Sequence, residues 1–395
     1  MKNRVKLVLK WIMISILIGL IGGLVGTAFH ISVDAVTEIR QENNWIVYLL
    51  PIGGLLIAFL YKKFNAEKGM DTNRVLRAVK SEADVPVRMM PLIFSGTVIS
   101  HLFGGSVGRE GAALQLGGSV GYNLSRYLKT DKSQYHLAVM AGMSAVFSAL
   151  FGTPVAASIF SYEVARVRLK KYYELIPCLI AALVARQTAG IFGVAPIRFD
   201  VQFPSINTFL ILKLILLSAL CGMVAYLFCL SIHKTERFVG KILPNIYFRA
   251  LFGGALIAVL TYLVGSYDYN GAGMNIIEDA INGKAIWYAF IFKIIFTVIS
   301  VSCGYRGGEI VPAFFIGSTL GCVVAQLIGL PASFGACIGF IGLFCGAVNC
   351  PVASIIIALE IFGGKGILFF VVACVISYIT SGNISLYKNQ GKYSI

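Results

Sequence analysis

The sequence predicts an all-α integral membrane protein built from two repeated halves with broken and re-entrant helices. Hydrophobic residues fill 57% of the 395 positions and charged residues only 13%, a composition typical of a chain that spans a bilayer. Many apolar segments are too short to cross a hydrocarbon core of about 30 Å. Sequence motifs also recur at a separation close to half the chain length, which indicates an internal duplication.

The N-terminal apolar segment, Trp11–Ala28, follows a basic stretch at residues 2–10. It is longer than the apolar part of a signal peptide and lacks a small-residue cleavage site. We therefore expect a retained first transmembrane helix with the N-terminus in the cytoplasm.

The formal charge of +15 is concentrated in short loops beside apolar segments, at residues 2–10, 62–80, 166–171 and 234–241. The positive-inside rule accounts for this pattern, so we expect a multi-pass protein of the cell (inner) membrane and no nucleic-acid partner. Residues 37–44 and 268–279 carry little positive charge and are expected on the outer side.

Nine cysteines are scattered through apolar sequence without a C-x-x-C motif, and we expect them to be small buried apolar residues. The four histidines form no ligand-like cluster. No nucleophile–base pair is recognisable. We therefore predict no metal, no cofactor and no enzymatic activity.

A glycine-rich stretch at residues 104–118 interrupts the apolar sequence and contains Arg109 and Glu110. The apolar residues 112–116 that follow predict a helix, and a helix N-terminus attracts anions through its unpaired N–H groups and dipole. A glutamate at bilayer depth is by default a candidate proton-relay or ion-pathway residue. The alternative is a re-entrant loop in which Arg109 and Glu110 neutralise each other.

The repeat is visible in paired motifs. Pro-Val-Ala at position 154 precedes Glu163 by nine residues, and the same motif at position 351 precedes Glu360 by nine. The two motifs are 197 positions apart, as are Arg109 and Arg306, whereas Gly121 and Gly321 are 200 apart. We expect one transmembrane domain over residues 1–395, with repeats at roughly 10–195 and 206–380 and no cytoplasmic regulatory domain.

The second repeat contains a similar break at residues 303–312, with Arg306 and Glu309 among glycines. Two breaks that each precede a helix can converge on one anion near the bilayer midplane, as in repeat-built transporters.

These motifs resemble the CLC family of chloride channels and anion/proton antiporters over nearly the whole chain. The resemblance rests on Gly108-Arg109-Glu110-Gly111 (G-R-E-G), Gly307-Gly308-Glu309-Ile310-Val311-Pro312 (G-G-x-F-x-P), Phe160-Ser161-Tyr162-Glu163-Val164, and Leu386-Tyr387. It implies a homodimer with one anion pathway per subunit and two inverted-topology halves. It also implies that Glu110 is the gating glutamate and that the anion-binding residues are Met70, Gly108, Arg109, Gly111, Ile310, Val311 and Tyr387.

Departures from the family pattern point to a branch. Met70 stands where chloride-type members have an anion-binding serine, and a thioether cannot donate a hydrogen bond. Glu309 stands where those members have an apolar residue. Both features, with the run at residues 86–91, resemble the bacterial fluoride/proton antiporters, although Val311 sits where that branch can carry a polar residue. Val164 replaces the inner proton glutamate of typical chloride/proton antiporters.

The sequence thus predicts proton-coupled fluoride export in which Glu110 competes with the anion, and the partners are fluoride or chloride, protons and lipid. The alternative is a CLC-type chloride channel or chloride/proton exchanger. Glu309 is either a second proton carrier or a structural partner of Arg306. For Met70 the alternative is packing, and for Tyr387 a place in the interfacial aromatic belt.

Glu163 and Glu360 are favoured as structural residues near helix ends.

Overall fold

The computed structural model describes residues 2–67, 69–166 and 174–388. Sixteen α-helices lie within these ranges. The first half contains α1 Lys2–Glu42, α2 Leu50–Lys63, α3 Thr72–Val79, α4 Met89–Leu102, α5 Glu110–Tyr127, α6 Tyr135–Phe151, α7 Pro154–Ala165 and α8 Leu175–Ile191. The second half contains α9 Thr208–Ile242, α10 Ile246–Val264, α11 Met274–Ile281, α12 Ala289–Ser302, α13 Ile310–Leu327, α14 Ala332–Val348, α15 Pro351–Phe362 and α16 Ile367–Thr380.

The all-α membrane fold with short and broken helices is confirmed. Among the described residues, six helical spans are long and apolar enough to cross a membrane. Several other apolar helices, such as α4, α12 and α15, have only 14, 14 and 12 residues. Such helices cannot span the hydrocarbon core alone and must end where protein or a polar cavity satisfies their backbone.

The two-repeat architecture is also confirmed, because the helices of the two halves correspond in order and five of the eight pairs have equal lengths. Helices α5 and α13 both have 18 residues and begin 200 positions apart. Helices α7 and α15 both have 12 residues, begin with proline and lie 197 positions apart. The register slips because the loop from α5 to α6 contains a 3-10 turn at Lys132–Gln134, whereas the loop from α13 to α14 is three residues shorter.

This register corrects one of the sequence matches. Each break lies before the loop in which the register changes, so equivalent residues of the two breaks are 200 positions apart. Arg109 therefore corresponds to Glu309, not to Arg306. The 197-residue match of the two arginines is therefore a coincidence.

Two helix boundaries differ from the sequence expectation. Helix α1 continues to Glu42, so most of the expected outer loop at residues 37–44 is helical; this stretch contains neither glycine nor proline to end the helix. Helix α5 begins at Glu110 itself, not at Ala112.

Two short helices were missing from the sequence prediction. Helices α3 and α11, eight residues each, occupy stretches expected to be loops at residues 62–80 and 268–279. They are short and amphipathic, so the mean hydropathy of a sequence window does not reveal them. Asp71 caps α3 by accepting a hydrogen bond from the Arg74 amide at 3.0 Å, as an N-cap aspartate should.

One compact unit comprises residues 1–32, 68–94 and 110–197. Within it, α5 packs closely on α6 because Gly117 and Gly121 expose their backbone to Gly142 and Ala138; any side chain at these glycines would overlap the facing carbonyls. Small residues at helix interfaces are the usual means of close packing in lipid.

The other unit comprises residues 33–67, 95–109 and 198–395. Here α13 packs on α14 through Gly317 and Gly321 against Gly339 and Gly335, the repeat equivalents of the α5–α6 contact. Helices α2 and α10 also pack together in this unit. All nine cysteines of the chain are buried, as expected.

Candidate functional site

The first turn of α5 contains the predicted gating glutamate. Glu110 is the first residue of the helix and only 1% exposed. The Gly111 carbonyl accepts a hydrogen bond from the Thr72 hydroxyl at 3.4 Å, and that hydroxyl accepts one from the Gln115 amide at 3.1 Å. These contacts hold the start of α3, with the buried Met70 just before it, beside the first turn of α5.

Two features of this arrangement act in opposite directions on the ionisation of the Glu110 carboxyl group. Burial disfavours the ionised form of Glu110, while the N-terminal end of α5 favours it. An ionised carboxylate and a small anion are both stabilised at such a helix end. Met70 contributes volume there but no hydrogen-bond donor.

In the other unit, the two glycine breaks pair directly. We define the first glycine break as residues 104–111 and the second as residues 304–311. Gly108 and Gly308 exchange two backbone hydrogen bonds of 2.6 Å each. A glycine at position 307 is required because a Cβ there would lie 2.7 Å from the Gly108 carbonyl oxygen. The two breaks therefore meet at Gly108 and Gly308, and their convergence on one anion stays a prediction.

Serine hydroxyls extend this pairing in a crosswise pattern. The Ser106 amide donates to the Ser300 hydroxyl at 2.9 Å, and the Arg306 amide donates to the Ser100 hydroxyl at 2.9 Å. Donors and acceptors are both related by 200 positions. Each break is therefore bound to the helix that precedes the other break.

Tyr305 of the second glycine break contacts one helix of each repeat. Its hydroxyl lies 2.9 Å from the Leu50 carbonyl and 3.0 Å from the Ala250 carbonyl. These carbonyls are again repeat equivalents, on α2 and α10. Gly54 and Gly254 leave room for the phenol, since a Cβ at Gly54 would lie 2.6 Å from its oxygen.

The two arginines of the breaks bind different groups. Arg109 forms an ion pair with Asp34 of α1 at 2.7 Å, so its charge has a partner other than Glu110. Arg306 lies over the ring of Tyr61 with its guanidinium carbon 4.0 Å from the ring centroid, a cation–π contact.

Glu309 immediately precedes α13 and is half-buried. Its charge interacts with Cys229 of α9. The Cys229 thiol lies 3.6 Å from the Ala347 carbonyl, which also accepts a hydrogen bond from the Leu386 amide at 2.9 Å.

Tyr387 is buried in a segment that is fixed to α9 and to the end of α14. The Ser385 carbonyl lies 2.7 Å from Nε2 of His233, and the Asn349 amide donates to the Ile384 carbonyl at 2.9 Å. Its burial within the protein differs from the exposure of a belt residue at the membrane surface.

The remaining predicted residues divide between the units. Ile310 and Val311 are buried in the first turn of α13. Glu163 and Glu360 are half-buried tenth residues of the equivalent helices α7 and α15. Met70, Glu110, Gly111 and Glu163 belong to the first unit, whereas Gly108, Arg109, Glu309, Ile310, Val311, Glu360 and Tyr387 belong to the second.

A cavity of about 680 Å³ in the second unit contains two of the predicted anion-binding residues, Arg109 and Val311, in its wall. Arg40 and His101 also line it. Both stretches expected on the outer side, residues 37–44 and 268–279, contribute to this wall.

Sequence reasoning missed several polar residues around these breaks. Lys293 is a lone lysine in the otherwise apolar α12 and is fully buried, a signal that could have been noticed because a charge at bilayer depth is costly. Asp34, Arg40 and Thr72 gave no comparable signal, since their roles depend on contacts with residues distant in sequence.

Comparisons with known proteins agree with this architecture. Residues 53–382 match the family model described as voltage gated chloride channel. A protein named "Chloride/fluoride channel protein" from Pseudomonas syringae pv. tomato is 33% identical over 389 residues, covering 96% of this chain and 86% of that protein. The "H(+)/Cl(-) exchange transporter ClcA" of Vibrio vulnificus is 26% identical over 376 residues, covering 87% and 80%.

Among solved structures, a CLC-type fluoride/proton antiporter superposes with a TM-score of 0.93 at 32% sequence identity, covering 97% of this chain and 98% of that one. The paired glycine breaks, the repeated helices, the family match and this superposition agree. The chain belongs to the CLC family of anion channels and antiporters.

Proposed function

We propose that this protein exchanges fluoride for protons across the cell membrane, with Glu110 as the group that alternates with the anion. The observation that carries the proposal is the contact between the start of α3 and the first turn of α5. It holds a buried methionine, and no serine hydroxyl at that position, beside a buried glutamate at a helix N-terminus.

The exchange follows from competition between the Glu110 carboxylate and the anion for the N-terminal end of α5. When ionised, the Glu110 carboxylate occupies the helix end; when protonated, it leaves that end to the anion. Anion entry and protonation are thereby linked, and each cycle moves the two in opposite directions. The residues that the family resemblance assigns to anion binding, beside Met70, are Gly108, Arg109, Gly111, Ile310, Val311 and Tyr387.

Fluoride is favoured over chloride for two reasons. Met70 stands where chloride-type members have a serine, so the hydrogen-bond donor that binds chloride in those members is absent here. The antiporter structure at 32% identity is of a fluoride/proton antiporter, and the name of the Pseudomonas relative includes fluoride.

A chloride channel or chloride/proton exchanger is the second candidate. The Vibrio relative is named for H⁺/Cl⁻ exchange, and the family model is described as a voltage gated chloride channel.

The two candidates are separated by an efflux assay. Liposomes containing the purified protein are loaded with fluoride or chloride, and anion release and internal pH are recorded together. We expect fluoride release to be much faster than chloride release and to be accompanied by proton uptake. Equal or faster chloride release would favour the second candidate, and fluoride release without proton movement would indicate a passive channel.

We also propose a homodimer in the inner membrane with cytoplasmic N-termini and a complete pathway in each subunit. Small residues on membrane helices permit such close association. A mass measurement in detergent should give twice the subunit mass, and a monomer alone would remove this part of the proposal.

A further inference from the structure

A narrow groove between α2 and α10 is lined by two arginines that the proposed exchange does not use. Arg249 lies in the first turn of α10 and Arg306 in the second glycine break, and both line one cavity of about 20 Å³. Small residues of the two helices, Gly54, Ala58 and Ala250, also line it. A cavity of this size admits one water-sized group, so it can take one oxygen atom of a larger ligand.

The guanidinium groups in this groove have incomplete hydrogen bonding. The Nε atoms of Arg249 and Arg306 are both buried, and neither has a hydrogen-bond partner among the described residues. Neither arginine has a carboxylate within ion-pair distance in the same part of the chain. The face of Tyr61, 4.0 Å from the Arg306 guanidinium carbon, compensates the charge only in part. Buried donors are normally paired, so an acceptor from outside the chain is expected here.

Further basic groups lie at the exposed end of the groove. Lys62 and Lys63 are the last two residues of α2 and are exposed. The Lys62 ammonium lies 5.2 Å from the ring centroid of Tyr247, the second residue of α10. The acid that lines the groove, Glu67, is exposed, and water and salt screen its charge. The groove therefore has excess positive charge.

The surface of α2 and α10 around the groove is apolar. Leu56 and Phe59 of α2 are 46% and 51% exposed, and Phe248 and Phe252 of α10 are 64% and 53% exposed. Both helices are long and apolar enough to cross a membrane, so this face meets lipid tails. The basic end of α2 belongs to residues 62–80, and α10 follows residues 234–241. Both stretches are expected on the cytoplasmic side, which places the groove at the depth of the lipid headgroups.

We propose that this groove binds the phosphate group of an anionic phospholipid of the cytoplasmic leaflet. One phosphate oxygen accepts hydrogen bonds from Arg249 and Arg306 between the helices, since the guanidinium fork matches phosphate. Lys62 and Lys63 attract the remaining headgroup charge, and the acyl chains lie along the exposed apolar face. Basic pockets between membrane helices on the cytoplasmic side are typical sites for anionic headgroups.

A lipid in this groove is connected to the paired glycine breaks through Arg306. The Arg306 amide donates to the Ser100 hydroxyl at 2.9 Å, and Gly308, two residues later, pairs with Gly108. A phosphate that holds the Arg306 side chain therefore stabilises the backbone at which the two breaks meet. Thermal unfolding reports such stabilisation, because a ligand that binds only the folded state raises the unfolding midpoint.

The test measures the thermal unfolding midpoint of the full-length protein in neutral detergent against the concentration of added phosphatidylglycerol. We expect the midpoint to rise with phosphatidylglycerol and not with phosphatidylcholine. Arg249→Gln should weaken the apparent phosphatidylglycerol affinity about tenfold, the effect of losing a hydrogen bond to a charged group. Lys62→Gln should weaken it about fivefold, the value of one basic residue near an anionic lipid surface.

Arg126→Gln is the matched control, because Arg126 is an exposed arginine at the end of α5 that does not line the groove; its lipid affinity should equal that of wild type. Arg249→Lys keeps the charge without the fork and should lie between wild type and Arg249→Gln. If Arg249→Gln does not fold, Lys62→Gln at its exposed position decides the question. Unchanged affinity in Lys62→Gln and in every folded Arg249 variant would overturn the site, and so would an equal loss in Arg126→Gln.

The source of the phosphate is tested with two further ligands. Inorganic phosphate that stabilises the protein as well as phosphatidylglycerol does would overturn a lipid site, and so would equal stabilisation by phosphatidylcholine. A midpoint that depends on protein concentration and not on lipid would assign this face to a contact between subunits and would also overturn the proposal. No ion transport is measured, so the outcome is independent of the fluoride proposal.

Discussion

The first and second glycine breaks pair through equivalent backbone positions and differ in their side chains. Gly108 and Gly308 pair as equivalents, and α5 and α13 begin two residues later in both repeats. Yet the first helical residue is the buried acid Glu110 in one half and the buried apolar Ile310 in the other. The acid of the second break, Glu309, lies one position earlier and is half-buried.

This difference separates the chemistry of the two halves. Backbone N–H groups at two helix ends attract an anion without regard to side chains. Only the first half has a carboxyl group at the helix start, where it competes with the anion in the exchange that we propose. The second half has the apolar Ile310 at that position, and its acid, Glu309, lies one position earlier.

The largest expected effect comes from Glu110→Gln, which removes the side-chain asymmetry of the two helix starts. The amide is neutral at every pH, so it cannot alternate between an anion that fills the site and an acid that leaves it. We expect fluoride-driven proton uptake into liposomes to stop, while anion flux falls or loses its pH dependence.

Glu360→Gln is the control for this variant, since Glu360 is a half-buried glutamate on another membrane helix of the same chain; its proton uptake should match wild type. Continued uptake in Glu110→Gln would show that another acid carries the proton, and Glu309 would be the first to examine.

Met70→Ser alters the first break from the α3 side. A hydroxyl beside the first turn of α5 offers chloride the donor that the thioether lacks, and a hydrogen bond to a charged group corresponds to about a tenfold change in binding. We expect the ratio of chloride to fluoride flux to rise by about this factor. Met70→Leu has similar volume and no donor, so its ratio should remain that of wild type; an equal rise in both variants would assign Met70 to packing.

Glu309→Gln tests the second break. A carboxylate near a helix N-terminus contributes about 1 kcal/mol, which corresponds to a roughly fivefold change in rate. We expect exchange to slow by about this factor with the fluoride-to-proton ratio preserved, as determined from simultaneous fluoride and pH recordings. A complete loss of proton movement would place Glu309 on the obligatory proton route.

Much of this architecture was predictable from sequence, because glycine breaks, short apolar segments and the Pro-Val-Ala repeats are local signals. Glu110 was found because an acid at bilayer depth is unusual by itself. The pairing of Arg109 with Asp34 and the hydrogen bonds of Ser100 and Ser300 were not predictable, since each joins ordinary residues far apart in the chain. The match of Arg109 with Arg306 at 197 positions was wrong because only the helix bounds show where the register changes by three residues.

The smallest expected effect concerns Tyr305, which contacts equivalent carbonyls of both halves although its own repeat equivalent is Gly105. Tyr305→Phe removes a hydroxyl within 3.0 Å of the Leu50 and Ala250 carbonyls. These carbonyls lie within helices, so the loss should be near 1 kcal/mol and should lower the thermal unfolding midpoint in detergent by about 2 °C. Tyr262→Phe, at a tyrosine 73% exposed, is the control and should leave the midpoint unchanged. Because the glycine breaks retain their own hydrogen bonds, Tyr305→Phe should keep its proton coupling; a loss of coupling would mean that the phenol, and not the Gly108–Gly308 pair alone, keeps the two breaks in register.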